Sequence, residues 1–152
     1  MPPPLLNYTT KIPAAQSFAE IVAMVHSHGA KRVLSDYGDD GEPEAISFAI
    51  ETSSGLRTFR LPAEPYRCLA VMLKNREIYK TSHQKTPDLA QAQRVAWRII
   101  RDWLASQLAL IQTGMVSLPQ VMLPYLVVTP EGGTLYEELE GGRYALPAEA
   151  SA

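Results

Sequence analysis

The chain has 152 residues, of which 46% are hydrophobic and 20% charged, with a formal net charge of −2, a composition typical of one folded domain. No apolar run reaches the roughly 18 to 20 residues that a membrane helix needs, and the proline-rich opening lacks the charged and apolar regions of a secretory signal. The single cysteine, Cys68, excludes an internal disulfide, so we expect a cytoplasmic protein with no membrane partner.

The first part of the chain predicts an arm followed by a helix. Residues 1–13 contain four prolines and are expected to form an extended arm, with an edge strand at Tyr8 to Ile12. Ser17 has the position of an N-cap, with Glu20 as its capping-box partner, and apolar residues then recur at helical spacing until Gly29.

Three short segments then predict a β-meander. Strands are expected at 31–37, 45–52 and 56–61, separated by turn residues rich in glycine, aspartate and serine. In the middle strand, Ile46, Phe48 and Ile50 alternate with polar or small residues, which is typical of a half-buried strand. The order predicts a three-stranded antiparallel sheet.

The second half of the chain is mainly helical. A helix is expected at about 63–78, and a longer one begins after Thr86 and Pro87 and runs to Thr113, where Gly114 ends it. We therefore expect the α+β class: a two-layer single domain spanning 14–146, in which helices cover the meander, followed by a disordered tail at 147–152.

The charges are distributed unevenly. The segment from Arg57 to Arg101 carries ten of the fourteen basic residues and three acids, a net of +7, so the rest of the chain carries −9. A basic middle between acidic ends predicts a surface that meets an anionic partner, with nucleic acid as the first candidate.

Three arginines form the sharpest candidate within this segment. Arg94, Arg98 and Arg101 fall within roughly 60° of one another on the long helix, so we expect an outward ridge that contacts successive phosphates. The alternative is a solvated helix face on which an acid such as Asp102 neutralises an arginine.

Flat side chains beside the cations extend this prediction to single strands, because bases stack on them. Tyr79 and His83 are the better stacking candidates, since Trp97 has the spacing of a half-buried core residue. The remaining nucleic-acid-binding candidates are basic residues: Arg67, Lys74, Lys80 and Lys85.

No catalytic, metal or cofactor motif accompanies the basic segment. His26 and His28 point to different faces of a helix, and the acidic turn that contains Asp39 and Asp40 lacks the spacing of a calcium loop. Cys68 lies in an apolar helical pattern and is expected to be a small core residue. We therefore expect no enzyme activity, no metal and no cofactor.

The sequence resembles a family of small uncharacterised phage and prophage proteins. The resemblance is carried by residues 92–103, from Ala92 to Trp103, and it continues through residues 109–116 and 123–126. Residues 8–13, 28–30 and 134–137 fit it as well, so it spans nearly the whole chain. It implies a mobile-element protein working in the cytoplasm of a bacterial host, and it carries over no site residue.

Two main function classes follow from these features, and a minor enzyme whose site the sequence does not reveal is a third, weaker class. The first is a non-enzymatic accessory protein that binds nucleic acid during replication or recombination through the basic segment. The second is a protein-interaction module that inhibits or redirects a host protein of the defence or replication machinery. Because Trp97, Leu104 and Leu108 widen the apolar arc of the long helix, a homodimer is also expected, unless the residues from Leu118 to Val128 cover that arc.

Overall fold

The computed structural model describes residues 3–79 and 85–142, and its architecture is α+β, which confirms the expected class. Three antiparallel strands form one sheet in the order β1-β2-β3, and a 25-residue helix, α3, is the longest element. The elements in chain order are α1 (Ala14–Ser27), β1 (Ala30–Tyr37), β2 (Pro43–Thr52), β3 (Gly55–Pro62), α2 (Pro65–Tyr79), α3 (Leu89–Thr113), α4 (Leu118–Met122), a 3-10 turn (Leu123–Tyr125) and α5 (Leu135–Glu140).

The core lies between one face of the sheet and the helices α1 and α3. Phe48 of β2 is paired with Phe59 of β3, and the two rings lie 5.8 Å apart between centroids. Trp97 of α3 is fully buried and donates its indole N–H to the carbonyl oxygen of Pro43 at 3.2 Å. Phe18 of α1 meets the edge of the same ring, so the two helices are fixed against the sheet and against each other.

The helix α2 packs on α3 rather than on the sheet. A second, smaller cluster joins the two helices through Met72, Ala92 and Val95. Because α2 lies at the periphery, residues such as Tyr66, Val71 and Leu73 stay exposed.

Helix boundaries differ from the sequence expectations at two N-termini. The helix α1 begins at Ala14 with Pro13 as its N-cap, so Ser17 lies buried inside the helix and the expected capping box does not form. In α3 the cap is Asp88, whose carboxylate accepts the N–H of Gln91 at 2.8 Å, instead of Thr86. At the other end, Gly114 has a φ of 80° and ends α3 as predicted.

The N-terminal arm and the strand β2 also differ from expectation. Residues 6–9 form turns rather than an edge strand, because Asn7 has a φ of 62°. All residues of β2 from Ala45 to Ile50 are buried, so the strand is covered on both faces and is not half-buried.

The apolar arc of α3 is covered within the protein. Trp97, Leu104 and Leu108 all lie in the core, and Met122 of α4 joins them at 1% exposure. The segment after α3 therefore covers this arc, and these residues offer no surface for a homodimer. None of the helices in the described ranges has both the length and the hydropathy needed to cross a membrane.

Candidate anion-binding site

Side-chain hydrogen bonds hold the N-terminal arm against α3. The Gln91 side-chain amide donates to the carbonyl oxygens of Tyr8, at 3.1 Å, and Thr10, at 2.9 Å. Asn7 donates to the Asp102 carboxylate at 2.8 Å, eleven residues further along α3. Lys11 directly follows Thr10, so these contacts place it beside the start of α3.

The helix α2 approaches the same place from the other side. Met72 is 4% exposed and lies against α3, and Arg76 follows one helical turn later on the same face. The guanidinium of Arg76 donates to the hydroxyl of Thr86, so the residues leading into α3 are tied to α2.

A pocket of about 580 Å³ lies between the arm, α2 and the start of α3. Four basic side chains of the described residues line it, and we call them the basic pocket residues: Lys11, Arg76, Lys85 and Arg94. Asp88 is the one acid among the described lining residues, and its carboxylate accepts a hydrogen bond as the N-cap of α3. Tyr8, which is 38% exposed, and Met72 provide apolar surface. The pocket has the volume of a small-molecule site and its lining carries a net positive charge, so it suits an anionic group.

The basic pocket residues differ in their partners from four of the other arginines in the described residues. Four arginines form ion pairs with acids: Arg60 with Asp36, Arg67 with Glu64, and both Arg98 and Arg101 with Glu20 and Asp102. Within residues 3–79 and 85–142, no carboxylate forms an ion pair with a basic pocket residue. Their positive charge therefore remains available to a ligand.

Arg94 is oriented by a neutral group. Both its Nε and its Nη2 donate to the side-chain oxygen of Gln91, the former at 2.9 Å, and the same Gln91 holds the arm. An amide oxygen fixes the guanidinium without cancelling its charge. The remaining N–H groups of Arg94 stay available to a phosphate or carboxylate.

The expected outward ridge of three arginines is not formed. The side chains of Arg98 and Arg101 are 16% and 29% exposed, and Glu20 of α1 lies between them at 2.5 Å from Arg98 and 3.6 Å from Arg101. Asp102 contacts both as well, at 3.8 and 3.1 Å. Acids therefore neutralise both arginines of this pair, whereas the alternative expected a solvated face with one neutralised arginine. Arg94 alone of the three lines the pocket.

The structure separates the other sequence candidates. Lys85 lines the pocket, whereas Arg67 pairs with Glu64 on the exposed side of α2 and lines a different groove. Lys74 is exposed on α2 outside the pocket lining. Lys80, His83 and the side chain of Tyr79 lie outside the described part of the structure.

Sequence reasoning missed Lys11, Arg76 and Tyr8 as site residues. The sequence contains a pattern that could have predicted the position of Arg76, because Arg76 follows Met72 at the helical spacing that puts both on the packed face of α2. No local sequence pattern predicts the positions of Lys11 and Tyr8, because they contact α3 only after the chain has folded back. Gln91 and the arm residues that it contacts are more than 80 positions apart in the sequence.

No second chemistry is visible in the described residues. Burial raises the pKa of the Cys68 thiol, which favours the neutral and less nucleophilic form. Within the same residues, no group of three or more His, Cys, Asp or Glu side chains is placed to hold a metal ion. In the acidic turn, one Asp40 oxygen accepts the N–H of Glu42 and the other accepts from Gln93.

Comparison with known proteins leaves the pocket as the main guide to function. No family model, no curated protein and no solved structure matches this chain.

Proposed function

We propose that the protein is a non-enzymatic accessory factor that binds nucleic acid, with a backbone phosphate held by the basic pocket residues. The observation that carries the proposal is the convergence of four basic side chains, none of them paired with an acid in the described residues, on one pocket. Lysine and arginine neutralise backbone phosphates in protein–nucleic acid complexes and so supply the charge-dependent part of the affinity.

The positions of the two arginines support phosphate binding in particular. Arg76 and Arg94 approach from different helices, and each is oriented by a neutral oxygen, that of Thr86 or of Gln91. Planar guanidinium groups held in this way are suited to bidentate contacts with phosphate oxygens. Lys11 and Lys85 add positive charge, and their ammonium groups can contact a phosphate from many directions.

Among the described residues, Tyr8 places an aromatic ring at the rim of the pocket. Tyr8 is 38% exposed and lines the pocket beside Lys11. Stacking of a base on an exposed ring contributes about 1 to 3 kcal/mol in single-strand complexes. We therefore expect single-stranded nucleic acid to bind more tightly than duplex.

The biological setting of this proposal rests on the resemblance carried by residues 92–103. Similarity to small phage and prophage proteins favours a role in the replication or recombination of a mobile element inside a bacterial host. Neither an enzyme activity nor a cofactor is part of the proposal.

The test is a pair of double variants that lose the same charge at different places. Arg76→Gln with Arg94→Gln removes two pocket cations, whereas Arg57→Gln with Lys74→Gln removes two exposed cations that do not line the pocket. Binding of fluorescent single- and double-stranded oligonucleotides is measured by anisotropy across a range of salt concentrations.

We expect the pocket variant to bind more weakly and to lower the salt slope by roughly 0.7 per lost phosphate contact on single strands, or 0.9 on duplex. The control variant should keep most of the affinity and slope of the unmodified protein. Equal losses in both variants would show that overall charge, not the pocket, attracts the nucleic acid.

The competing function, a module that inhibits or redirects a host protein, gives a different result in the same experiment. In that case the unmodified protein shows no salt-dependent binding to either oligonucleotide. A protein captured from bacterial lysate would then be lost with the pocket variant and kept with the control.

A further inference from the structure

We propose that the free edge of β1 pairs antiparallel with β1 of a second copy, centred on Leu34, so that the sheets of two copies join into one. This inference does not rest on nucleic-acid binding. It concerns the edge of the sheet, which does not line the basic pocket.

The two outer strands of the sheet differ in whether another segment of the chain pairs with their outer edge. The edge of β3 is covered, because Val127 donates its backbone N–H to the carbonyl oxygen of Thr58 at 2.9 Å and Leu126 bridges to Phe59. The strand β1 pairs with β2 on one side, and in residues 3–79 and 85–142 no segment pairs with its other side. The backbone N–H and C=O groups of that edge are therefore open to another strand.

The β1 edge also carries exposed apolar side chains. Val33 is 37% exposed, Leu34 65% and Tyr37 61%, on a strand of eight residues. The register irregularities of β1 fall before Arg32 and after Asp36, so residues 32–36 form a regular stretch. Proteins commonly protect an edge strand with bulges, proline or charged side chains. The register shifts of β1 lie at the ends of this stretch, which has no proline but carries two charged residues, Arg32 and Asp36.

The charges of β1 are complementary to themselves. Arg32 and Asp36 lie two residues before and two residues after Leu34, so all three side chains share one face of the strand. In a twofold antiparallel pair centred on Leu34, Arg32 of each copy lies directly opposite Asp36 of the other, and the two Leu34 side chains meet. Opposite charges placed in this way stabilise a pair of strands, whereas like charges destabilise it.

The neighbouring registers lack this match. In an antiparallel pair, two directly opposite residues either both turn their backbone N–H and C=O groups toward the partner strand or both turn them away. Because these orientations alternate along a strand, the twofold axis must pass through a residue, and alternative registers move it by whole residues. An axis at Val33 places Arg32 opposite Leu34, and an axis at Ser35 places Leu34 opposite Asp36. Both set a charged side chain against an apolar one, so the Leu34 register is favoured.

Within the described part of its own copy, Arg32 is unpaired, and Asp36 is paired through only one of its two carboxylate oxygens. Arg32 forms no ion pair with an acid in the described residues. Asp36 uses one carboxylate oxygen, Oδ2, for Arg60 of the same copy at 3.2 Å. Its second oxygen remains for Arg32 of the second copy, which would give a row of alternating charges across the junction.

The experiment uses charge reversal in two single variants, Arg32→Asp and Asp36→Arg. Each variant alone places like charges opposite each other twice and should dissociate on the order of tenfold more readily than the unmodified protein. An equimolar mixture places opposite charges at both contacts and should recover dimers. Sedimentation velocity measures assembly from about 1 to 500 µM, a range suited to a small interface, and native mass spectrometry distinguishes the mixed dimer from each homodimer by mass.

A control variant separates the edge from the ion pair inside each copy. Asp36→Arg also removes the partner of Arg60, so Arg60→Gln, which breaks that pair and leaves the edge charges in place, should dimerise like the unmodified protein. Hydrogen exchange of the β1 amides, followed as protein concentration rises, gives a second readout that needs no substitution. The proposal is overturned if the unmodified protein stays monomeric across the range, or if the mixed variants do not associate better than either alone.

Discussion

At the scale of single residues, the contact partner decides what an arginine on α3 does. Arg94, Arg98 and Arg101 follow each other at helical spacing, yet Gln91 orients the first while Glu20 and Asp102 neutralise the others. Arginine on α3 therefore lines the pocket at position 94 and links α3 to α1 through ion pairs at positions 98 and 101.

The Glu20 carboxylate is expected to contribute to stability, since it faces two arginines that are largely shielded from water. Glu20→Gln should lower the free energy of unfolding by about 1 to 2 kcal/mol, between the values for exposed and buried ion pairs. Urea denaturation measures the change. Glu64→Gln, which breaks the exposed pair with Arg67, is the matched control and should change stability by less than about 0.5 kcal/mol.

The Cys68 thiol is expected to react slowly in the folded protein. Because burial raises its pKa, less thiolate is present at pH 8 than for a free cysteine, and partial burial also limits access. Reaction with a disulfide reagent should accelerate when the protein is unfolded in urea. Equal rates in the folded and unfolded protein would contradict the burial of this side chain.

At the scale of elements, β2 is the strand on which the core is built. Its larger side chains, Ile46 and Phe48, face α1 and α3, and the small residues Ala45, Ser47 and Ala49 occupy the other face. Small side chains let the neighbouring strands shield the central strand from water. That explains why a strand with helices on one face is buried on both.

Replacing Phe48 with alanine is expected to lower the free energy of unfolding by about 3 to 5 kcal/mol, because the ring is 1% exposed and packs against Phe59. Tyr66→Ala provides the control, since Tyr66 is 71% exposed on α2 and should cost less than about 0.5 kcal/mol. Chemical denaturation of both variants decides the point. A loss for Phe48→Ala as small as that expected for Tyr66→Ala would contradict the burial of Phe48.

At the scale of the whole molecule, Gln91 connects the arm to the pocket. Its side chain donates to the arm and accepts from Arg94, so the position of Lys11 and the direction of Arg94 depend on one residue. The arm is therefore part of the site and not a separate appendage.

Gln91→Leu is expected to release the arm, because it removes two hydrogen bonds of about 1 kcal/mol each. Trypsin should then cut after Lys11 about ten to thirty times faster, measured by mass spectrometry of the digest. Gln112→Leu, at the exposed far end of α3, is the control and should leave the rate unchanged. A slow cut in both variants would mean that Asn7 and the packing of Leu5 hold the arm without Gln91.

The sequence by itself determined the class of fold and most of its elements. Strand alternation, the turn residues before Gly55 and the stop at Gly114 are local signals, and each acts on residues that are neighbours along the chain. The meander and the long helix were therefore predictable. The basic character of the central segment was predictable in the same way, because charge can be counted without knowing contacts.

Only the tertiary structure decided which of those charges are available. Glu20 and Arg98 are 78 positions apart, and Gln91 and Thr10 are 81 apart, so no local pattern relates them. Helical spacing places three arginines on one side of α3, but it does not say that α1 brings a carboxylate to two of them. The pocket joins Lys11 to Arg76 and Arg94 because the arm folds back onto α3, and that contact exists only once the chain has packed.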